Sequence, residues 1–190
     1  VEAPEETKTI VVELTKAGRT KIADMVATDS ADYELRVYFN TYIDEDAEVR
    51  HCAFIRGNAI VGKGAVVGNS TELKNVVLFN KVQVPHYNYV GDSVLGSHSH
   101  MGAGSITSNV KSDKTLVVIK SGDEKYETGL KKMGAVLGDY VEVGCGSVLN
   151  PGTVVGKNSN VYPLSSVRGV VPENSIYKKA GEVAKKHYEY

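Results

Sequence analysis

Four histidines, His51, His86, His98 and His100, share the middle of the chain with Arg56 and Lys74, which lie eighteen residues apart. Imidazole titrates near neutrality, so each histidine could exchange a proton, and three neutral imidazoles could hold zinc. Arginine offers a planar fork and lysine a point charge, so the pair suits a phosphate if the fold brings them to one place. By residue type alone the plainer alternatives remain open: a histidine at a structural corner, and two solvated cations on an exposed edge. The two cysteines, Cys52 and Cys145, lack zinc-ligand spacing and read as free thiols in a reducing cytoplasm.

The elements that must position these residues are legible as a repeat of six. From Ile43 the aliphatic series runs Val49, Ile55, Val61, Val67, Leu73 and Phe79, with Ala47, Ala53, Ala59, Ala65, Thr71, Val77 and Gln83 four places on. It returns as Leu137, Val143, Leu149, Val155, Val161 and Val167, followed by Val141, Ser147, Thr153, Ser159, Ser165 and Val171. Glycine follows the aliphatic residue in Val61-Gly62, Val67-Gly68, Val143-Gly144 and Val155-Gly156, as expected for a turn conformation costly to other residues. Each hexad is one short strand and a corner, and three make a triangular coil of eighteen residues. Successive coils stack at ~4.8 Å. The pattern predicts an all-β solenoid, a left-handed parallel β-helix over 43–174. On such a coil Arg56 and Lys74 stack along one edge and converge on a single anion.

Residues 1–42 fit no hexad: Thr9 to Leu14 and Tyr33 to Phe39 are strand-like and Lys16 to Ala27 helical in pattern. Residues 110–134 also leave the repeat, and Thr115 to Ile119, Ser121-Gly122-Asp123 and Lys125 to Thr128 predict a projecting hairpin. Such excursions often line ligand sites. The tail 175–190 carries Ile176, Ala180, Val183, Ala184 and Tyr188 at the spacing of a short amphipathic helix weakened by Gly181, which reads equally as a cap on the solenoid or as a frayed polar tail.

The 190 residues hold 22 basic and 23 acidic side chains, a net charge of −1 that leaves no basic stripe for nucleic acid. No apolar run reaches membrane-spanning length, and the acidic start Val1 to Lys8 lacks a secretory profile, so the expected compartment is cytoplasmic.

The most specific strings are Val84-Pro85-His86-Tyr87-Asn88-Tyr89-Val90-Gly91-Asp92 and Met101-Gly102-Ala103-Gly104-Ser105-Ile106-Thr107-Ser108-Asn109. With Ile55-Arg56-Gly57 and Glu72-Leu73-Lys74-Asn75, they resemble the acetyltransferase domain of the bifunctional N-acetylglucosamine-1-phosphate uridyltransferase and glucosamine-1-phosphate acetyltransferase, from about Ala47 to Lys178. The resemblance implies acetyl transfer from acetyl-CoA, a co-substrate rather than a tightly bound cofactor, to the amine of an amino-sugar 1-phosphate. It implies a homotrimer with sites where subunits meet. His86 would be the general base, Arg56 and Lys74 the phosphate ligands, and Tyr89 and Asn109 the hydrogen-bonding partners of the sugar phosphate. Read without the motif, Tyr89 is equally a packed aromatic and Asn109 a turn residue.

Three departures accompany the match. His100 replaces the family's asparagine, and could contact the acetyl donor or alter the choice of sugar. Cys145 stands where the bacterial enzymes carry a serine near the thioester. The hairpin is longer, and the Gly-rich nucleotide loop of the uridyltransferase half is absent from the sequence, so pyrophosphorylase activity is not expected. Basic residues such as Lys178 or Lys179 would meet the CoA phosphates. Two other readings are a trimeric scaffold that has lost turnover and a carbonic-anhydrase-like zinc enzyme on the same coil. For the latter the third histidine position is Gly91, and His98-Ser99-His100 is misplaced, so no metal ligand is expected.

Overall fold

The computed structural model describes residues 41–179 and 182–185, and these form the left-handed parallel β-helix. The first face stacks Glu48–Val49, Val66–Asn69, Gln83–His86, His100–Met101, Glu142–Val143, Asn160–Val161 and Ser175–Lys179. The second and third faces join into one sheet because Phe54–Val61, Glu72–Leu78 and Tyr89–Leu95 bend around the corner between them. Inside, each face contributes an aliphatic column. Val61, Leu78, Leu95, Leu137, Val155 and Val171 form the third-face column; Val67, Val84, Met101, Val143, Val161 and Tyr177 form that of the first. Burying such a side chain contributes about 1.5–3 kcal/mol.

After the interruption every predicted inward residue from Leu137 to Val171 is buried, but before it the register departs from the repeat. Leu78 and Val82 are fully buried where the period of six places Phe79 and Gln83, and Phe79 is half exposed. The cause is one corner. Partners run Arg56↔Lys74 and then Ala59↔Val76, so a coil step of 18 becomes 17. Asn75 takes a left-handed φ of 51° and its Oδ1 accepts from the Asn58 N–H at 3.1 Å, closing the shortened turn. One slipped residue turns every later side chain over, which is why the neighbour is buried instead.

The glycines after the aliphatic residues also act differently from the expectation. Gly62, Gly68, Gly144 and Gly156 are not in the left-handed region, which is occupied two residues later by Gly64, Ser70, Gly146 and Asn158. They are small because the next coil passes too close. A Cβ on Gly62 would lie 2.7 Å from the Phe79 carbonyl carbon, and one on Gly68 would overlap the Pro85 backbone.

The hairpin is present, with Val118–Ser121 antiparallel to Glu124–Glu127. The chain leaves at Asn109 and returns at Met133, whose N–H donates to the Asn109 carbonyl at 3.0 Å. Fully buried Val117 pins the hairpin base to the body.

The tail corrects the predicted helix. Ser175–Lys179 continues the first face, pairing in parallel with Asn160–Val161, and Glu182–Lys185 folds back antiparallel on it. An open sheet edge supplies backbone partners that override a weak helical pattern, and the returning strand covers that edge. Tyr177 closes the end of the core, its hydroxyl donating to the Ser166 carbonyl at 3.1 Å. At the other end, Thr41–Ile43 already belongs to the coil. The expectations for Thr9 to Leu14, Lys16 to Ala27 and Tyr33 to Phe39 lie outside the described residues.

Buried Asn88 ties three coils together: its amide donates to the Gly102 carbonyl at 2.9 Å and the Ser105 carbonyl at 3.0 Å, while its N–H meets Thr71 Oγ1. Asn88→Ala strands these acceptors and is expected to lower unfolding free energy by about 1–3 kcal/mol in denaturant titration.

Candidate functional site

His86 ends a first-face strand at the corner leading to the second face. Its N–H donates to Asn88 Oδ1 at 3.1 Å, so the buried amide that ties the coils also fixes the histidine backbone. The exposed ring makes no hydrogen bond with any described residue. Its strand pairs Asn69 with His86, and Asn69 is bonded through its amide to His51. On the other side the Gly104 N–H donates to the His86 carbonyl, Gly146 to Ala103, and Leu164 to Cys145. His86, Ala103 and Cys145 therefore form one column over three successive coils. The Ala103 N–H donates to no described atom.

A groove of about 500 Å³ runs beside this column, lined by both His100 and Cys145 with Gly102, Gly144, Tyr162 and Pro163. Cys145 is an exposed free thiol, and Gly102 is small because a Cβ would sit 2.7 Å from the Cys145 backbone nitrogen and 2.8 Å from the Val143 carbonyl oxygen. His100 Nδ1 is 2.8 Å from Glu142 Oε2, across the same coil junction. A carboxylate at this distance favours the tautomer that carries the proton on Nδ1.

The next corner carries Arg56 and Lys74, which are in direct register as the spacing predicts. They do not converge on one empty point, because each has its own carboxylate. Arg56 Nε donates to Glu72 Oε1 at 2.6 Å, and Lys74 Nζ lies 3.0 Å from both Asp92 oxygens. Asp92 also accepts from Asn75 Nδ2 at 3.0 Å and from Asn109 Nδ2, which in turn donates to the Tyr89 hydroxyl at 3.1 Å. Tyr89 folds over Gly91, where a Cβ would meet the phenol. Lys74, Tyr89 and Asn109 thus belong to one network whose hub is Asp92. Sequence reasoning quoted Asp92 in the motif but gave it no role; the signal was its place eighteen residues after Lys74, one coil on. Glu72 and Asn75 were missed in the same way. Among the described residues no three His, Cys, Asp or Glu side chains are grouped to hold a metal ion.

Burial pushes the Asp92 carboxyl up, but the hydrogen bonds from Asn75, Lys74 and Asn109 and the Lys74 charge outweigh it, holding it below its ordinary 3.8. A depressed carboxyl stabilises the fold above its unfolded value, and that stability is lost as pH falls through the folded one. Denaturant midpoints measured from pH 7 down to pH 3 should therefore fall less steeply for Asp92→Asn than for the native chain, although the variant starts lower.

Comparison with known proteins adds the family. The family model described as GMPPB C-terminal domain matches residues 37–161. The bifunctional protein GlmU of Methanococcus vannielii is 36% identical over 135 residues, 70% of this chain and 32% of that protein. The bifunctional sugar-1-phosphate nucleotidylyltransferase/acetyltransferase of Sulfurisphaera tokodaii is 29% identical over 126 residues, 66% of this chain and 31% of that one. The chain thus spans about a third of the length of these curated relatives. Among solved structures, a mutant of AntD, an N-acyltransferase from Bacillus cereus, superposes with a TM-score of 0.60 at 14% identity, covering 92% of this chain and 91% of its own. That likeness establishes the fold. Together with the matched family model, which takes in every coil from the first to Val161, these observations show that the chain belongs to the GMPPB C-terminal domain family.

Proposed function

We propose that the protein transfers an acetyl group from acetyl-CoA to the amine of an amino-sugar 1-phosphate, at sites shared between the subunits of a homotrimer. The observation that carries this reading is the column His86–Ala103–Cys145, whose Cys145 end lines a groove of about 500 Å³. An ammonium cannot attack a thioester, so the acceptor reacts as its free amine, and His86, whose ring has no partner among the described residues, takes the proton that the nitrogen sheds as it adds. The nitrogen lone pair adds to the thioester carbonyl, and the Ala103 N–H donates to the oxyanion that forms. Collapse of the intermediate breaks the carbon–sulfur bond, and the imidazolium returns its proton to the leaving thiolate. No acyl-enzyme is formed. His100 and Cys145 line the path of the donor. The GlmU-like relatives, one of them named as a sugar-1-phosphate nucleotidylyltransferase/acetyltransferase, support the acceptor class.

The carboxylates at the second corner fit a phosphate site better than they first suggest. Glu72 engages only Nε of Arg56, leaving the terminal guanidinium nitrogens to fork onto a phosphate, and Asp92 fixes the Lys74 ammonium with one N–H to spare. Tyr89 and Asn109 complete the wall against the sugar.

Two features support the trimer. The second face separates the His86 corner from the Lys74 corner by about five residues, roughly 15 Å at ~3.3 Å per residue. The amine and phosphate of a 2-amino sugar 1-phosphate sit on adjacent ring carbons. On this reading a neighbour's His86 corner closes on this chain's Lys74 corner. On the third face Ile60, Val77, Val94, Val136, Val154 and Val170 stack outward in direct register. This aliphatic ladder borders the Asp92 network and suits burial against a second copy.

Release of free CoA thiol with glucosamine 1-phosphate as acceptor tests the chemistry. His86→Ala is expected to reduce kcat by roughly two to four orders of magnitude with acetyl-CoA binding retained. Near-normal turnover would exclude this mechanism. Refolding His86→Ala together with Lys74→Ala in equal amounts tests the shared site. If neighbours supply the two residues, the mixture should recover about a quarter of native activity although each variant alone is inactive. No recovery would place both residues in one subunit's site.

A further inference from the structure

The hairpin and the coil corner beneath it enclose a pocket of about 320 Å³ lined by Lys111, Lys120, Lys125 and Arg168, with Val118, Pro151 and Gly169 as its apolar and backbone walls. Four cations gather here on a chain whose net charge is −1. Lys111 has a partner, Asp113, with Nζ 3.4 Å from Oδ2. Lys120, Lys125 and Arg168 have no ion pair or hydrogen bond from their side chains among the described residues. None of the hairpin's acids pairs with them: Glu124 is bonded to the Tyr126 hydroxyl, and Asp123 and Glu127 make no ion pair among the described residues.

Lys120 and Lys125 are directly opposite each other on the two strands, so their side chains share a face. Like charges in that position destabilise a hairpin, and Glu127, one pair along on the same face, makes no ion pair with either lysine. The body nevertheless holds the hairpin close. A Cβ on Gly169 would lie 2.8 Å from the Lys120 carbonyl oxygen, and one on Gly152 would lie 2.8 Å from Val117 Cγ1. The cations are therefore confined to a preformed wall rather than spread on a free loop, and their mutual repulsion is a standing cost that an anion would remove.

We infer that this pocket is a second anion site, built for the diphosphate of a nucleotide. Three free cations exceed the need of a single phosphate, and arginine with two lysines matches two linked phosphates, one gripped by the fork and the other by point charges. The volume leaves room for part of a nucleoside. Such a diphosphate could come from the adenosine end of coenzyme A bound along a neighbouring subunit, or from a free nucleotide.

Isothermal titration of the full chain with inorganic pyrophosphate and, separately, with coenzyme A tests this. The comparison is the native protein against the doubly substituted Lys125→Gln, Arg168→Gln, both exposed positions outside the His86 and Lys74 corners. Native protein should bind pyrophosphate saturably, more tightly at low salt, and the double variant about tenfold more weakly. If coenzyme A affinity falls in parallel and pyrophosphate competes with it, the diphosphate is that of the coenzyme. If pyrophosphate binding falls while coenzyme A binding is unchanged, a separate nucleotide uses the site. Absence of pyrophosphate binding, or equal binding by both proteins, would overturn the inference. Binding is read without turnover, so the result is independent of whether acetyl transfer is detected.

Discussion

The spacing between stacked coils governs the molecule. Backbone ladders hold neighbouring coils at ~4.8 Å, and that distance sets both what fits inside the prism and what can stand at its corners. One aliphatic residue per face fills the interior, and glycine stands where the next coil's backbone comes closest, as Gly68 shows against Pro85 and Gly144 against Pro163. Residues in the left-handed region then need not be glycine. Ser70, Tyr87, His98 and Leu164 all occupy it, each at a coil corner. The conformational cost at these corners, of order 1 kcal/mol each, is small beside the interstrand hydrogen bonds and buried aliphatic area of one coil.

The same stacking turns sequence distance into columns. Asn69 and His86 are joined by a step of seventeen residues, Arg56 and Lys74 by one of eighteen, and His100 and Glu142 by one of 42 across the excursion. All three are neighbours on adjacent coils. An insertion at a corner therefore leaves the columns intact as long as its ends meet, and the bond between Asn109 and Met133 makes them meet. The hairpin adds surface without disturbing the coils on either side. This separation lets the solenoid hold the His86 motif in fixed geometry while the corner under the hairpin carries a different set of charges.

Much of the fold could be read from the period of six, because the interior admits almost nothing but aliphatic and small residues and so writes its geometry into the chain. The part it concealed lies where a corner loses a residue. Phe79 and Leu78 are both large and apolar, and only the left-handed Asn75 decides which one points inward. The tail was misread for a related reason: Ile176, Val183 and Ala184 suit a helix in isolation, whereas an unpaired strand edge, invisible in a linear sequence, dictates the pairing they adopt. At the site, the stacking of Arg56 on Lys74 was readable from spacing. Their carboxylate partners were not, since Glu72 and Asp92 look like any acidic surface residues until the coil places them beside those cations.

Charge pairing distinguishes the two cationic corners. At the first, Arg56 and Lys74 are each held by a carboxylate, and the one on Lys74 is itself held: Asp92 accepts from Lys74, Asn75 and Asn109, and Asn109 in turn steadies Tyr89. Such a network positions donors at the expense of net charge, and it suits a ligand recognised by shape as well as by phosphate. Under the hairpin the balance is reversed. Lys120, Lys125 and Arg168 make no ion pair among the described residues, and Gly152 and Gly169 let the hairpin come close. Attraction there depends on charge density and weakens with salt, whereas the Lys74 corner, part-buried and hydrogen-bonded, is screened far less. The two proposed anion sites thus differ in kind, and the coil spacing holds their side chains in separate corners.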